Sequence, residues 1–207
     1  MSTRIGLISD IHASVAPLGE ALAIFAREQV SQILCPGDIA GYGEELAGCV
    51  ALLQQAGVKV VVGNHDRWHV EDGEDGREEL ALLAGLPVAL SLAIAGKRLY
   101  LVHASPPDSD MGGIKLLDET GALIPSALSA WRERLKGLGH EVLVVGHTHQ
   151  VFAEQLGDTL VINPGSTAFN HSCAILHLPE CRVEWYAVGG EMKRVWNWGM
   201  GVTRRDE

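Results

Sequence analysis

The stretch RIGLISDIHASVAPLGEALAIFAREQVSQILCPGD, residues 4–38, carries the reading that decides the fold. Arg4 to Ser9 is a short apolar run stopped by Asp10, the pattern of a strand buried on both faces. Leu18, Ala21, Leu22, Phe25 and Ala26 then recur at helical spacing, with Pro17 placed to open the helix. Gln32 to Cys35 is a second strand, closed by Pro36-Gly37. Continuing outward, Leu46, Cys49, Val50 and Leu53 mark a second helix, and Gly57 stands where a helix C-cap would. Val58 to Val62 is a third strand. The order β-α-β-α-β predicts a parallel sheet with right-handed crossovers.

Beyond residue 70 the pattern changes. Residues 71–79 (EDGEDGREE) are acidic and Gly-broken, and read as a solvated loop running into a short helix. Val88 to Ile94 and Arg98 to Val102 flank Ala95-Gly96-Lys97, a hairpin signal. Ser126 to Lys136 reads as a helix and Val142 to Val145 as a buried strand. Phe152 to Leu156 and Leu160 to Ile162 flank Gly157-Asp158, a second hairpin. Residues 172–178 and 182–188 add two strands, and Trp196 and Trp198 fall in a tail that reads as an edge strand, a dimer contact or packing onto the core. The fold class expected is therefore α/β, with two packed mixed β-sheets flanked by helices as a four-layer α/β/β/α sandwich. No repeat or long linker divides it, so residues 1–207 read as one domain.

Composition narrows the function classes. Lys+Arg is 16 against Asp+Glu 26, a formal charge of −10. That argues against a broad nucleic-acid surface or an anionic-membrane surface, both of which need a basic face. A phosphorylated substrate remains compatible, because metal ions can supply positive charge. The four cysteines show no CxxC or disulfide spacing, no leader or transmembrane run is legible, and a reducing, cytoplasmic setting is expected.

The residues that follow the strands carry the chemistry. Asp10 and His12 follow the first, Asp38 the second, and Asn64, His65 and Asp66 the third. His103 follows the Arg98–Val102 strand, and His147 and His149 follow the Val142–Val145 strand. In open α/β sheets ligands bind at the carboxyl ends of strands. Carboxylates, an Asn carbonyl and imidazoles without Cys suit Mn²⁺, Fe, Zn²⁺ or Mg²⁺. The set is too large for one metal, and suits two ions about 3.5–4 Å apart if one carboxylate bridges them.

The set D-x-H, GD, GNHD, H and GHTH resembles the calcineurin-like metallophosphoesterase superfamily. GDIAGYG (37–43), LVHASP (101–106), GHTH (146–149) and NPGS (163–166) look like its small bacterial and archaeal phosphodiesterase branch. The resemblance covers residues 5 to about 187. Ala104 departs from it, standing where many members have Gly. The resemblance implies two divalent transition metals, Mn²⁺ foremost, with Fe, Ni, Zn or Mg as alternatives. One site would use Asp10, His12, Asp38 and His149; the other Asp38, Asn64, His103 and His147, with Asp38 bridging. A hydroxide held between the metals would attack phosphorus in line, His65 would serve the leaving group, and Asp66 would orient that imidazole. The implied function is a phosphodiesterase acting on a small soluble phosphate ester. A phosphomonoesterase, a nucleotide pyrophosphohydrolase and a non-catalytic metal-binding scaffold are the alternatives. Tyr42 is a candidate to stack on substrate at the mouth. His69 and His171 read as surface-loop residues, with lining of the substrate pocket as the alternative; His140 and His177 are set to surface or core, and the sequence leaves room for a homo-oligomer.

Overall fold

A computed structural model of the chain describes residues 3–73 and 78–196; Glu74, Asp75 and Trp198 lie outside the described residues. The chain begins with β1 (Thr3–Leu7), α1 (Val15–Arg27), β2 (Gln32–Cys35), α2 (Leu46–Gln55) and β3 (Lys59–Val60). Two helices follow, α3 (Asn64–Asp72) and α4 (Glu78–Ala84), then the hairpin β4 (Ala89–Ile94) and β5 (Lys97–Val102). The second half holds α5 (Pro125–Arg134), β6 (Val142–Val144), β7 (Val151–Leu156), β8 (Thr159–Pro164), β9 (Ser172–Leu178) and β10 (Arg182–Ala187).

The strands form two five-stranded sheets, ordered β10-β9-β1-β2-β3 and β4-β5-β6-β8-β7. Each is mixed. β1, β2 and β3 run parallel while β9 and β10 are antiparallel neighbours. β5, β6 and β8 run parallel, with β4 and β7 antiparallel at the edges.

Side-chain alternation builds the layers, because neighbouring residues of a strand point to opposite faces. Ile5, Leu7, Leu34, Ala174 and Leu176 pack between the sheets against Leu99, Leu101, Val142, Val144 and Ile162. The residues between them face outward. Cys35, Cys173 and Ile175 meet Leu18, Ala21 and Phe25 of α1, Cys49 and Leu53 of α2, and Leu83 of α4. Leu143, Val145 and Val161 meet Leu116, Leu117 and Trp131 on the far side. Gly6 belongs to this pattern: a Cβ there would come within 2.8 Å of the Phe25 ring, so only glycine lets α1 settle on β1. The four-layer expectation is met.

Three local expectations are corrected. The third strand is two residues long: Val61 N still donates to Cys35 O at 3.1 Å, but Val62 N turns away to Pro87 O at 2.9 Å. Glu71 and Asp72 end a helix rather than opening a loop. Asn163 and Pro164 close β8 before the turn at Gly165. The tail packs as an edge: Val195 bridges Gln150, and Val151 N donates to Arg194 O at 2.7 Å.

Candidate metal centre

The carboxyl ends of β1, β2, β3, β5 and β6 open on one side of the two sheets, and the seven proposed ligands meet there. All but His147 are buried. Asp10, His12 and His149 bring ligand atoms within 4.8 Å of one another, and so do Asp10, Asp38 and His103, and His12, Asp38 and His65.

The backbone is strained where the ligands sit. Asp10, His12, Asp38, His147 and His149 have φ of 50°, 48°, 55°, 66° and 47°. Non-glycine residues enter this left-handed region rarely, and each such conformation costs about 1–3 kcal/mol. Five of seven candidate ligands hold it, which aims their side chains inward at an expense that packing elsewhere offsets. Close approach also demands glycine at 146, where a Cβ would collide with Ser9 Oγ and Asp10 Oδ2.

The donor set fits cations on geometry as well as type. His12 Nε2 lies 3.0 Å from His149 Nε2, and His149 Nε2 lies 3.3 Å from Asp10 Oδ1. Nearby, Asn64 Oδ1 is 3.0 Å from His103 Nε2 and 2.9 Å from His147 Nδ1, and Asp38 Oδ2 is 3.4 Å from His103 Nε2. Adjacent ligands on an octahedral ion with bonds of about 2.1 Å stand roughly 3 Å apart. Asn64 is informative. With Oδ1 inward it presents a lone pair to two imidazole nitrogens, whereas the turned-over amide would donate to both and to Asp110 O. The inward orientation is the one a cation stabilises. The far nitrogens are fixed too: His12 Nδ1 donates to Ala40 O at 3.1 Å and His103 Nδ1 to Pro36 O at 2.7 Å, leaving each Nε2 lone pair facing the centre.

Charge inside the cluster is unevenly held. Burial opposes a cation on His103, but Asp38 and Asp10 outweigh it and raise the imidazole to about 9. Burial lowers His12 to about 4 despite the same carboxylates. Burial likewise lowers His147 and His65. For Asp10 and Asp38 burial favours the neutral acid, yet His149 and His103 respectively hold them below the usual carboxylate range.

His65 sits half-buried at the mouth, with its backbone N donating to Asp38 Oδ1 at 2.9 Å and its ring 5.0 Å from that of His12. Asp66 does not do what was expected of it. Both its oxygens are taken by backbone amides: Asp38 N and Gly63 N on Oδ2, and Ala40 N on Oδ1, all at 2.9 Å. It ties the two ligand loops after β2 and β3 together and caps α3, rather than orienting the His65 ring. Burial and the Asp38 charge raise it to about 6. A carboxylate three residues into a glycine-started helix is a capping signal legible in GNHD.

Other supports were missed. Asn163 Nδ2 donates to Gly146 O and Thr148 Oγ1, at 2.9 and 3.0 Å, bracing the GHTH loop. Ser166 Oγ donates to Asp10 O at 2.5 Å. Both lie in NPGS, which therefore acts as a buttress. Tyr42 does reach the mouth, its ring 4.8 Å from His12 and 4.7 Å from His65. His140 bonds Ser91 Oγ and His177 bonds Glu184, as expected of surface or core histidines. His69 lies on α3 and His171 packs beside Gly190. None of the helices described is long and apolar enough to cross a membrane.

Known structures share this frame. Protein PH1004 from Pyrococcus horikoshii OT3 superposes with a TM-score of 0.71 at 19% identity, over 93% of this chain and 89% of that one. A metallophosphoesterase from Sphaerobacter thermophilus gives 0.69 at 23% identity, over 92% and 90%. A novel archaeal phosphodiesterase gives 0.60 at 20% identity, over 90% and 100%. At these identities the likeness is one of fold. The sequence itself goes further, because residues 3–180 match the family model of the calcineurin-like phosphoesterase superfamily domain. With that match covering most of a chain whose strand ends converge on one candidate metal-binding cluster, the protein belongs to the calcineurin-like phosphoesterase superfamily.

Proposed function

We propose that the chain is a dinuclear metal-dependent phosphodiesterase that hydrolyses a small soluble phosphate ester. The observation that carries this is the convergence of lone pairs at two neighbouring centres. Asp10, His12 and His149 would hold one ion, and Asn64, His103 and His147 the other, with Asp38 between. Divalent ions, Mn²⁺ foremost, would supply an activated water and neutralise phosphoryl oxygens.

The chain's own groups do the rest. His65 faces the mouth with its pKa lowered by burial, so at neutral pH it offers a neutral ring N–H to the leaving-group oxygen. Asp66 keeps the loops of Asp38 and Asn64 in register through its three amides. A diester suits the rim better than a monoester dianion. The nearby Arg67 is already held by Asp110 at 2.5 Å, and Tyr42, Trp68 and Met111 are exposed apolar groups. The formal charge of −10 supports a small substrate over nucleic acid. The free thiols of Cys35, Cys49, Cys173 and Cys181 support a cytoplasmic setting.

The test is a panel of bis- and mono-4-nitrophenyl phosphate with Mn²⁺, Ni²⁺, Mg²⁺ and Zn²⁺, run beside elemental analysis. The reading expects two metals per chain, a preference for the diester, and depletion of both sites in Asp38→Asn. A single tight metal with no second site overturns the dinuclear scheme, and no turnover with any metal overturns the enzyme in favour of a scaffold.

A further inference from the structure

Tyr42, Trp68 and Phe169 stand round the candidate metal centre as a set of rings. Phe169 is fixed between two partners, stacked on His149 at 5.3 Å and on Trp196 at 5.2 Å, with interplanar angles of 22° and 29°. Tyr42 meets Phe169 edge-on at 5.5 Å and 79°. The His65 ring lies between Tyr42 at 4.7 Å and Trp68 at 4.8 Å. Tyr42 is 59% exposed and Trp68 44%.

Single exposed aromatics are ordinary on protein surfaces. Two features set this pair apart. The exposed rings flank the histidine that faces the leaving group. Tyr42 also holds φ of +41°, a conformation that tyrosine rarely adopts, directly after Gly41 at φ +102° and four residues beyond Asp38. Strain retained to present a ring to solvent beside a site is the mark of a functional constraint.

We propose that Tyr42 and Trp68, backed by the immobilised Phe169, form a stacking rim that binds a planar aromatic ring carried by the phosphoester. A nucleobase and a simple aryl group share that chemistry. π-Faces accept either by offset or edge-to-face packing, with little demand for hydrogen bonding. This rests on the phosphodiesterase reading and names the substrate class for it.

The test uses the full chain with Mn²⁺ and three diesters sharing a 4-nitrophenolate leaving group: methyl, phenyl and thymidine 5′ esters. A common leaving group keeps the bond broken the same, so differences report the other substituent. kcat/KM is expected to be higher for the phenyl and thymidine esters than for the methyl ester. A gain with thymidine over phenyl identifies a nucleobase, and equal gains identify a general aryl site. Tyr42→Ala and Trp68→Ala should each lower the thymidine-to-methyl ratio by about 5- to 100-fold, chiefly through KM. Tyr42→Phe should keep the ratio. Equal turnover of all three esters, or a ratio indifferent to both alanine variants, overturns the rim. No turnover of any ester with any metal overturns the phosphodiesterase reading instead. The rim is then read from quenching of tryptophan emission by thymidine 5′-phosphate with Mn²⁺. Quenching that falls in Trp68→Phe upholds it, and its absence overturns it.

Discussion

His65 follows Asn64 in the chain but faces the mouth, while Asn64 faces the histidines of the cluster. The two are separated by the first turn of α3, which points adjacent side chains about 100° apart. Removing the imidazole should therefore spare the metals. His65→Ala is expected to keep the metal content of the parent while losing about 10²–10⁴ in kcat, the usual worth of a positioned proton donor. The loss should be smaller with 4-nitrophenolate than with an alkoxide leaving group, because the former needs little protonation. Elemental analysis beside steady-state kinetics decides it: metal lost with the ring would make His65 a ligand. At this scale the sequence named the ligand types and their spacing. It assigned Asp66 to the wrong neighbour, because a carboxylate next to a histidine in sequence need not reach it once helical geometry turns the two apart.

The loops between strands and helices depend on side chains that are fully buried. Asn163, at the end of β8, holds the loop after β6 by donating to Gly146 O and Thr148 Oγ1, and its own Oδ1 accepts from Gly165 N at 2.9 Å. Asn163→Ala removes these braces beside His147 and His149 and leaves Gly165 N without its acceptor, while Thr148 Oγ1 keeps Ile114 O and Gly146 O keeps Thr148 N. Such supporting contacts are typically worth 10–100-fold in metal affinity, so Mn²⁺ binding should weaken by about that factor with little change in far-ultraviolet circular dichroism. Isothermal titration checks it, and an unchanged Kd would show that the loop holds itself. The hairpin of β4 and β5 was legible from its turn residues, and β9 to the residue. α3 was not, because RWHVED has no apolar stripe and its start is fixed by contacts to the loop after β2.

Metal and proton compete across the whole molecule. Without metal, His103 is raised from about 6.5 to about 9, so its protonated ring paired with Asp38 stabilises the fold below about 6.5, and that contribution is lost as pH rises through about 9. The metal-free protein should therefore lose thermal stability between those values. A bound metal reverses the sign, since it must displace the His103 proton. Apparent Mn²⁺ affinity should climb up to about tenfold per pH unit from 6 to 8 and level off above about 9. Thermal scans with and without metal, and titrations in buffers of different ionisation enthalpy, read both slopes; parallel slopes would place no proton on His103. Two-residue alternation and strand-end punctuation dictate the layered α/β sheets from the chain alone, and residue type limits which side chains could hold metal. The folded arrangement settles the rest: five strand ends from two sheets meet at one point, the candidate ligand backbones are strained to left-handed φ, and Asn163, Ser166 and Asp66 hold the loops. Those contacts span up to 156 residues of chain, and no local pattern encodes a partner at that distance; the packing of the two sheets does.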